Sequence, residues 1–260
     1  MHVETVGKGA PLLLIHGWGM HGGMWQPVAD RLAETHQVHM VDLPGHGLSR
    51  EREIAGANGL EALDSIVGQL AARFDKPLAV AGWSLGGQVA LRWAAMHPQQ
   101  VERLLLVAST PCFVQRADWP SAMEESTLQD FAAALLQNPL MTLKRFLALQ
   151  VRGSEHEREL LVTLRSQLTA RGEAALAALE KGLHILHDAD LRGDLNKISL
   201  PVQLIAGERD MLTPAGASRF MAENLSDARL AIMEGAAHAP FLSHPEQFMQ
   251  HTLEFLNERI

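Results

Sequence analysis

Short apolar runs punctuate the first half of the chain: Pro11 to Ile15, Gln37 to Val41 and Leu78 to Ala81, each leading into a glycine-containing turn. Runs of this length bounded by turn residues predict buried strands. A fourth run, Leu104 to Ala108, follows a helical stretch from Gly86 to His97, and two more, Val202 to Ala206 and Arg229 to Met233, lie towards the C-terminal end. Strands that alternate with helices predict an α/β fold, a mostly parallel sheet flanked by helices.

The spacing of these runs is uneven. About 90 residues separate Ala108 from Val202, whereas a crossover between parallel strands needs only about a dozen. From Leu128 to about His187 the intervening sequence is rich in Leu and Ala at helical spacing, as in Phe146 and Leu149 or Leu160, Leu161 and Leu164. An inserted helical lid is therefore expected over residues 111–188, entered through Pro111 and Pro120. Residues 1–110 and 189–260 form the core, and Asp188 to Leu200 returns the chain to the sheet.

Composition excludes several classes. Of the 260 residues 47% are hydrophobic and 20% charged, the usage of an ordinary globular protein rather than of a disordered or collagen-like chain. The formal charge of −8 opposes general attraction to nucleic acid or anionic membranes. No apolar run approaches the roughly 20 residues of a spanning helix, and Pro77 to Leu91, though uncharged, is broken by Gly, Ser and Gln. The N-terminus lacks the basic region and apolar stretch of a secretory signal, so a cytoplasmic protein is expected. Cys112 is the only cysteine, which rules out an intramolecular disulfide and a cysteine metal cluster. It reads as a small packed residue rather than a reactive thiol.

The strongest local signal is Gly82-Trp83-Ser84-Leu85-Gly86, directly after the Leu78 to Ala81 run and at the start of a helical stretch. Strand, turn and helix in that order are the setting of a nucleophile elbow, a sharp turn that exposes the serine Oγ. A serine hydroxyl is a weak nucleophile at neutral pH, so it needs a base and the base an orienting carboxylate. Asp210 follows the Val202 to Ala206 run, and His238 follows Arg229 to Met233. Serine, acid, histidine is the chain order expected of hydrolases built on such an elbow. His244 is the rival base, but it precedes Pro245 and suits the start of a final helix. Asp188, Asp190 and Asp194 are rival acids, but they belong to the segment returning from the lid. The glycine-rich Ile15-His16-Gly17-Trp18-Gly19 follows the first run, so the backbone amides of Trp18 and Leu85 are candidate oxyanion donors, while His16 is expected to hold its loop. His184 and His187 read as surface residues rather than zinc ligands, and Gly45-His46-Gly47 lacks the spacing of a nucleotide-binding loop. No metal and no cofactor are implied.

With these words in place the chain resembles the α/β-hydrolase superfamily, through His16-Gly17-Trp18-Gly19, Asp42-Leu43-Pro44-Gly45-His46-Gly47-Leu48-Ser49, Gly82-Trp83-Ser84-Leu85-Gly86-Gly87 and the surroundings of Asp210 and His238. The likeness spans nearly the whole chain. Within the superfamily it is most similar to the carboxylesterases of biotin biosynthesis, which hydrolyse the methyl ester of pimeloyl-acyl carrier protein. That likeness adds Ala108-Ser109-Thr110-Pro111-Cys112-Phe113, the lid segment Arg145-Phe146-Leu147-Ala148-Leu149-Gln150 and the stretch from Ala236 to Pro245. The lid segment is the discriminating one, since elbow motifs recur among many esterases while lids diverge. The resemblance implies an acyl pocket lined by Trp18, Ser84, Leu85, Phe146, Leu147, Ala148, Leu149, Gln150 and His238. It also implies that Arg145 and Arg158 meet an acidic acyl carrier protein. Two further basic positions of that surface are Met141 and Val162 here.

Charge bears on the same point from composition. Met141 to Arg171 carries six basic and three acidic residues, a net of +3, which leaves −11 on the rest. A basic lid on an acidic body can steer an anionic partner to one face. The expectation is a monomeric serine carboxylesterase. The alternatives are a general short-chain carboxylesterase, a thioesterase or a carbon–carbon bond hydrolase with the same three residues, or a non-catalytic ligand-binding relative.

Overall fold

The computed structural model describes residues 1–258 and contains one seven-stranded sheet in the order β1-β3-β2-β4-β5-β6-β7. The strands are β1 (His2–Val6), β2 (Ala10–Ile15), β3 (His36–Asp42), β4 (Leu78–Trp83), β5 (Val101–Val107), β6 (Val202–Gly207) and β7 (Ala228–Met233). From β3 to β7 all neighbours run parallel, as the alternation of strands and helices predicts, and β1 alone pairs antiparallel, on β3. That edge strand is not among the apolar runs, because His2-Val3-Glu4-Thr5-Val6 is only half buried. Central strands β4 and β6 are buried along their whole length, which requires the continuous apolar sequence that made them legible.

Helices cover both faces. On one, α1 (Gln26–Leu32) lies against β3 and touches the C-terminal α10 (Pro245–Leu256). On the other, α2 (Gly59–Arg73) packs beside α3 (Leu85–Met96), which rests on β4 and β5. Between β5 and β6 are inserted α4 (Glu125–Gln137), α5 (Pro139–Val151), α6 (Glu157–Leu168) and α7 (Leu176–Asp188), and α7 seats the group on the core through α2. After β6 come α8 (Ala215–Asn224) and, beyond β7, the short α9 (Pro240–Ser243). The insertion is helical only from Glu125. The preceding segment packs inwards, with Cys112, Trp119 and Ala122 gathered around Ala217. Burial pushes the Cys112 thiol above its ordinary range, and its Sγ donates to the Val114 carbonyl. No helix among the described residues is long and apolar enough to cross a membrane.

Candidate active site

Strand β4 ends at Trp83 and α3 begins at Leu85, so a single residue, Ser84, makes the turn. Its backbone sits at φ 55°, ψ −119°, a region L-residues rarely adopt. The crossing is tight enough to demand glycine on either side. A Cβ on Gly82 would lie 2.2 Å from the Gly86 carbonyl oxygen, and one on Gly86 would lie 2.4 Å from that of Ile15. Ser84 is pinned by its amide, which donates to Val107 O at 3.0 Å, and by its carbonyl, which accepts from Ser109 Oγ at 2.9 Å. Strain of this kind costs about 1–3 kcal/mol and persists only where the surroundings over-determine it.

Asp210 and His238 reach the same rim from the ends of β6 and β7. Asp210 Oδ2 lies 2.8 Å from His238 Nδ1 and accepts from Thr213 Oγ1 at 2.7 Å, while Oδ1 accepts from the amides of Leu212 and Thr213 at 2.8 and 3.0 Å. The carboxylate is thus fully occupied and aimed at one imidazole nitrogen. The other, Nε2, is buried and has no partner among the described residues. With the proton on Nδ1, Nε2 carries a free lone pair. The backbone of His238 is held from two sides: the Trp83 indole N–H donates to its carbonyl at 2.7 Å, and its amide donates to Gln150 O, at the end of α5, at 3.0 Å.

Of the two candidate oxyanion donors, Leu85 directly follows the serine, and Trp18 follows Gly17, on which an added Cβ would lie 3.3 Å from Ser84 Cβ. Neither the Trp18 nor the Leu85 amide meets a main-chain acceptor among the described residues. Trp18 owes its position to the lid: its indole N–H donates to Leu179 O at 2.9 Å, and its ring meets Phe146 edge to face at 4.9 Å. Phe146, Leu147 and Gln150 are buried, and Ala148 and Leu149 half-buried, whereas Arg145 and Arg158 are exposed. Ser84 is 6% exposed and His238 1%.

The rival residues serve elsewhere. Asp188 accepts from the Gly59 amide, Asp190 pairs with Arg192, and Asp194 joins Arg92 and Lys197. His244 contacts Ser243 Oγ where α10 begins. His187 is not a bare surface residue, since its ring bridges Asp188 at 2.7 Å and Glu125 at 2.9 Å. His184 is exposed, and among the described residues no group of three potential ligands is placed to hold a metal.

His16 does hold its loop. Its Nδ1 donates to Gly17 O at 2.8 Å and its Nε2 accepts from the Leu43 amide at 3.0 Å, so the neutral ring satisfies both bonds. Burial, with His46 beside it, pushes its pKa down to about 3.

One group escaped the sequence reading. Asp42 accepts from the Gly22 amide at 2.6 Å and the Leu48 amide at 2.8 Å, and it meets Arg171, from the turn between α6 and α7, at 3.3 Å. Burial resists its ionisation, but the Leu48 amide, the Gly22 amide and Arg171 together hold its carboxyl below the usual range. Arg171 also pairs with Glu4, and His21 Nε2 donates to Gln167 O at 2.7 Å. The nearest signal was the Asp42 to Ser49 word itself, whose use is to fix loops rather than to react.

Residues 12–251 match the family model described as the alpha/beta hydrolase family. The "Pimeloyl-[acyl-carrier protein] methyl ester esterase" of Nitrosomonas europaea is 47% identical over 249 residues, covering 96% of each chain. The protein of the same name from Chromobacterium violaceum is 42% identical over 98% of both chains. Among solved structures, an esterase from Exiguobacterium antarcticum superposes with a TM-score of 0.88 at 25% identity, over 99% of this chain and 95% of that one.

Proposed function

Because the chain belongs to the alpha/beta hydrolase family and, within it, to the pimeloyl-[acyl-carrier protein] methyl ester esterases, we propose that it hydrolyses the methyl ester of pimeloyl-acyl carrier protein to methanol and the free carboxylate, a step of biotin biosynthesis. The observation that carries the chemistry is the buried His238, bonded to Asp210 through Nδ1, open at Nε2 and held through its carbonyl by Trp83, the residue before a serine kept at a positive φ.

In this reading His238 Nε2 takes the Ser84 proton as Oγ attacks the ester carbonyl. The amides of Trp18 and Leu85 receive the oxyanion, whose charge is best stabilised by donors already fixed in place. His238 then returns the proton to the departing methoxide, and the acyl group remains on Ser84. A water deprotonated by the same imidazole releases the pimeloyl carboxylate and restores the serine. Asp210 keeps the ring oriented and stabilises its cationic form throughout. Phe146 to Gln150 and Trp18 enclose the acyl chain, while Arg145 and Arg158 meet the carrier protein. Action as a cytoplasmic monomer is part of the same proposal.

The test is hydrolysis of pimeloyl-acyl carrier protein methyl ester by the purified protein and its Ser84→Ala variant, with p-nitrophenyl butyrate as control. Methanol release should fall by about a millionfold in the variant, the scale on which loss of a nucleophile acts. Turnover of the small ester alone would keep the chemistry and remove the carrier substrate. Equal turnover by the variant would remove Ser84.

A further inference from the structure

Carbonyls in the last turn of a helix lack partners within it. At the end of α5 one of them, Gln150 O, is given to the His238 amide at 3.0 Å. Five residues further, the Glu155 amide donates to Gly235 O at 3.3 Å. The turn between α5 and α6 therefore grips the loop that carries His238 at two points, on either side of Ala236 and Ala237.

The acid loop closes the circuit. Glu208 Oε2 accepts from the Gly235 amide at 3.1 Å. Its neighbour Arg209, immediately before Asp210, donates from Nη1 to Gly153 O, in the same lid turn, at 2.9 Å. Three segments far apart in sequence are joined in a ring: the lid turn to the His238 loop, that loop to Glu208, and Arg209 back to the lid turn. Within the turn, the Ser154 amide and hydroxyl donate to Val151 O and the Gly153 amide donates to Glu157 Oε2 at 2.8 Å, so Gly153 O is presented to Arg209 from a formed turn.

We infer that the α5–α6 turn is a positioning element for His238 and Asp210, and that Arg209 is the positioning residue that locks it. The inference rests on the roles given above to Ser84, His238 and Asp210. Proton transfer demands a well-placed base, and a displacement of about 1 Å far from the chemistry can cost a hundredfold. A half-exposed guanidinium contributes little to global stability, so its loss registers in turnover rather than in folding.

The experiment compares the full-length protein with Arg209→Met and Arg209→Lys. For p-nitrophenyl butyrate, kcat of the Met variant should fall about fivefold, the loss of one charge-assisted bond, with KM and the thermal midpoint unchanged. Lys retains a cationic donor and should recover most of that loss. The rate at which a fluorophosphonate labels Ser84 should fall in parallel, because it depends on His238 and not on ester binding. An unchanged kcat, a loss that tracks KM or the thermal midpoint, or no rescue by Lys would each overturn the role of Arg209. Failure of the wild-type protein to label at Ser84 would instead overturn the assignment on which the inference rests.

Discussion

Helix α6 is fastened to the core at both ends by opposite means. Before its first turn the lid is joined to the His238 loop by main-chain bonds from Gln150 and Glu155. In its last turn Gln167 O is held by His21, and just beyond it Arg171 reaches the buried Asp42 and the half-buried Glu4. Main-chain bonds of the first kind carry no net charge and respond little to salt or pH. An attachment of the second kind depends on ionisation states and on one long side chain. The insertion is thus held near His238 by main-chain bonds with Arg209 added to them, and at its other end by the side chains of Arg171 and His21.

The largest effect should follow from breaking the ionic end. Arg171→Met leaves Asp42 buried with two amide donors but no cation, and one-sided removal of a buried pair costs about 3 kcal/mol. For a chain of this size that lowers the thermal midpoint by roughly 6–12 °C. Hydrogen exchange should speed up over Gln167 to Ala175 and not over Gln150 to Glu155. Equal acceleration at both ends would erase the distinction between them.

Acid acts on the same end with a somewhat smaller effect. Burial, His46 and the bond from the Leu43 amide keep His16 neutral, with a pKa of about 3 against an ordinary value of 6.5. An unfolded chain takes up that proton more readily, so the stabilisation is complete above about pH 6.5 and is lost as pH falls towards about 3. At pH 5 the loss from this residue amounts to about 2 kcal/mol. Burial also lowers the pKa of His21 and His46, which adds in the same direction. His21 accepts from the Gly23 amide through Nδ1, a bond that protonation abolishes. Denaturant titrations between pH 7 and pH 5 check the size, and a His16→Gln variant should show a shallower dependence.

The smallest effect on stability should come from the exposed charges. Arg145→Ala and Arg158→Ala should stay within about 0.5 kcal/mol of the parent. If these residues face the carrier protein, KM for the carrier-bound ester rises while that for p-nitrophenyl butyrate does not. A rise for both esters would move them into the acyl pocket.

The same contrast explains what could be read in advance. Parallel strands buried on both faces have to be apolar throughout, so β2 to β6 announced themselves, as did the elbow with its obligatory glycines. Asp210 and His238 were legible because each follows a strand. Strand β1, half exposed at an edge, carried no such signature. Nor did the pairing of Asp42 with Arg171, since a lone arginine in a helical insertion does not reveal a carboxylate 129 residues away. The hold of Gln150 on His238 was the least legible, because a carbonyl oxygen is common to every residue.

Ser84 stands where the backbone geometry would suit glycine, yet glycine has no hydroxyl to offer. Folding therefore works against a local preference at the one position where the proposed reaction begins, and the surrounding bonds from Val107 and Ser109 supply the restraint. Selection for robustness and selection for turnover pull in opposite directions at that residue. A lineage released from the need for turnover would be free to relax it.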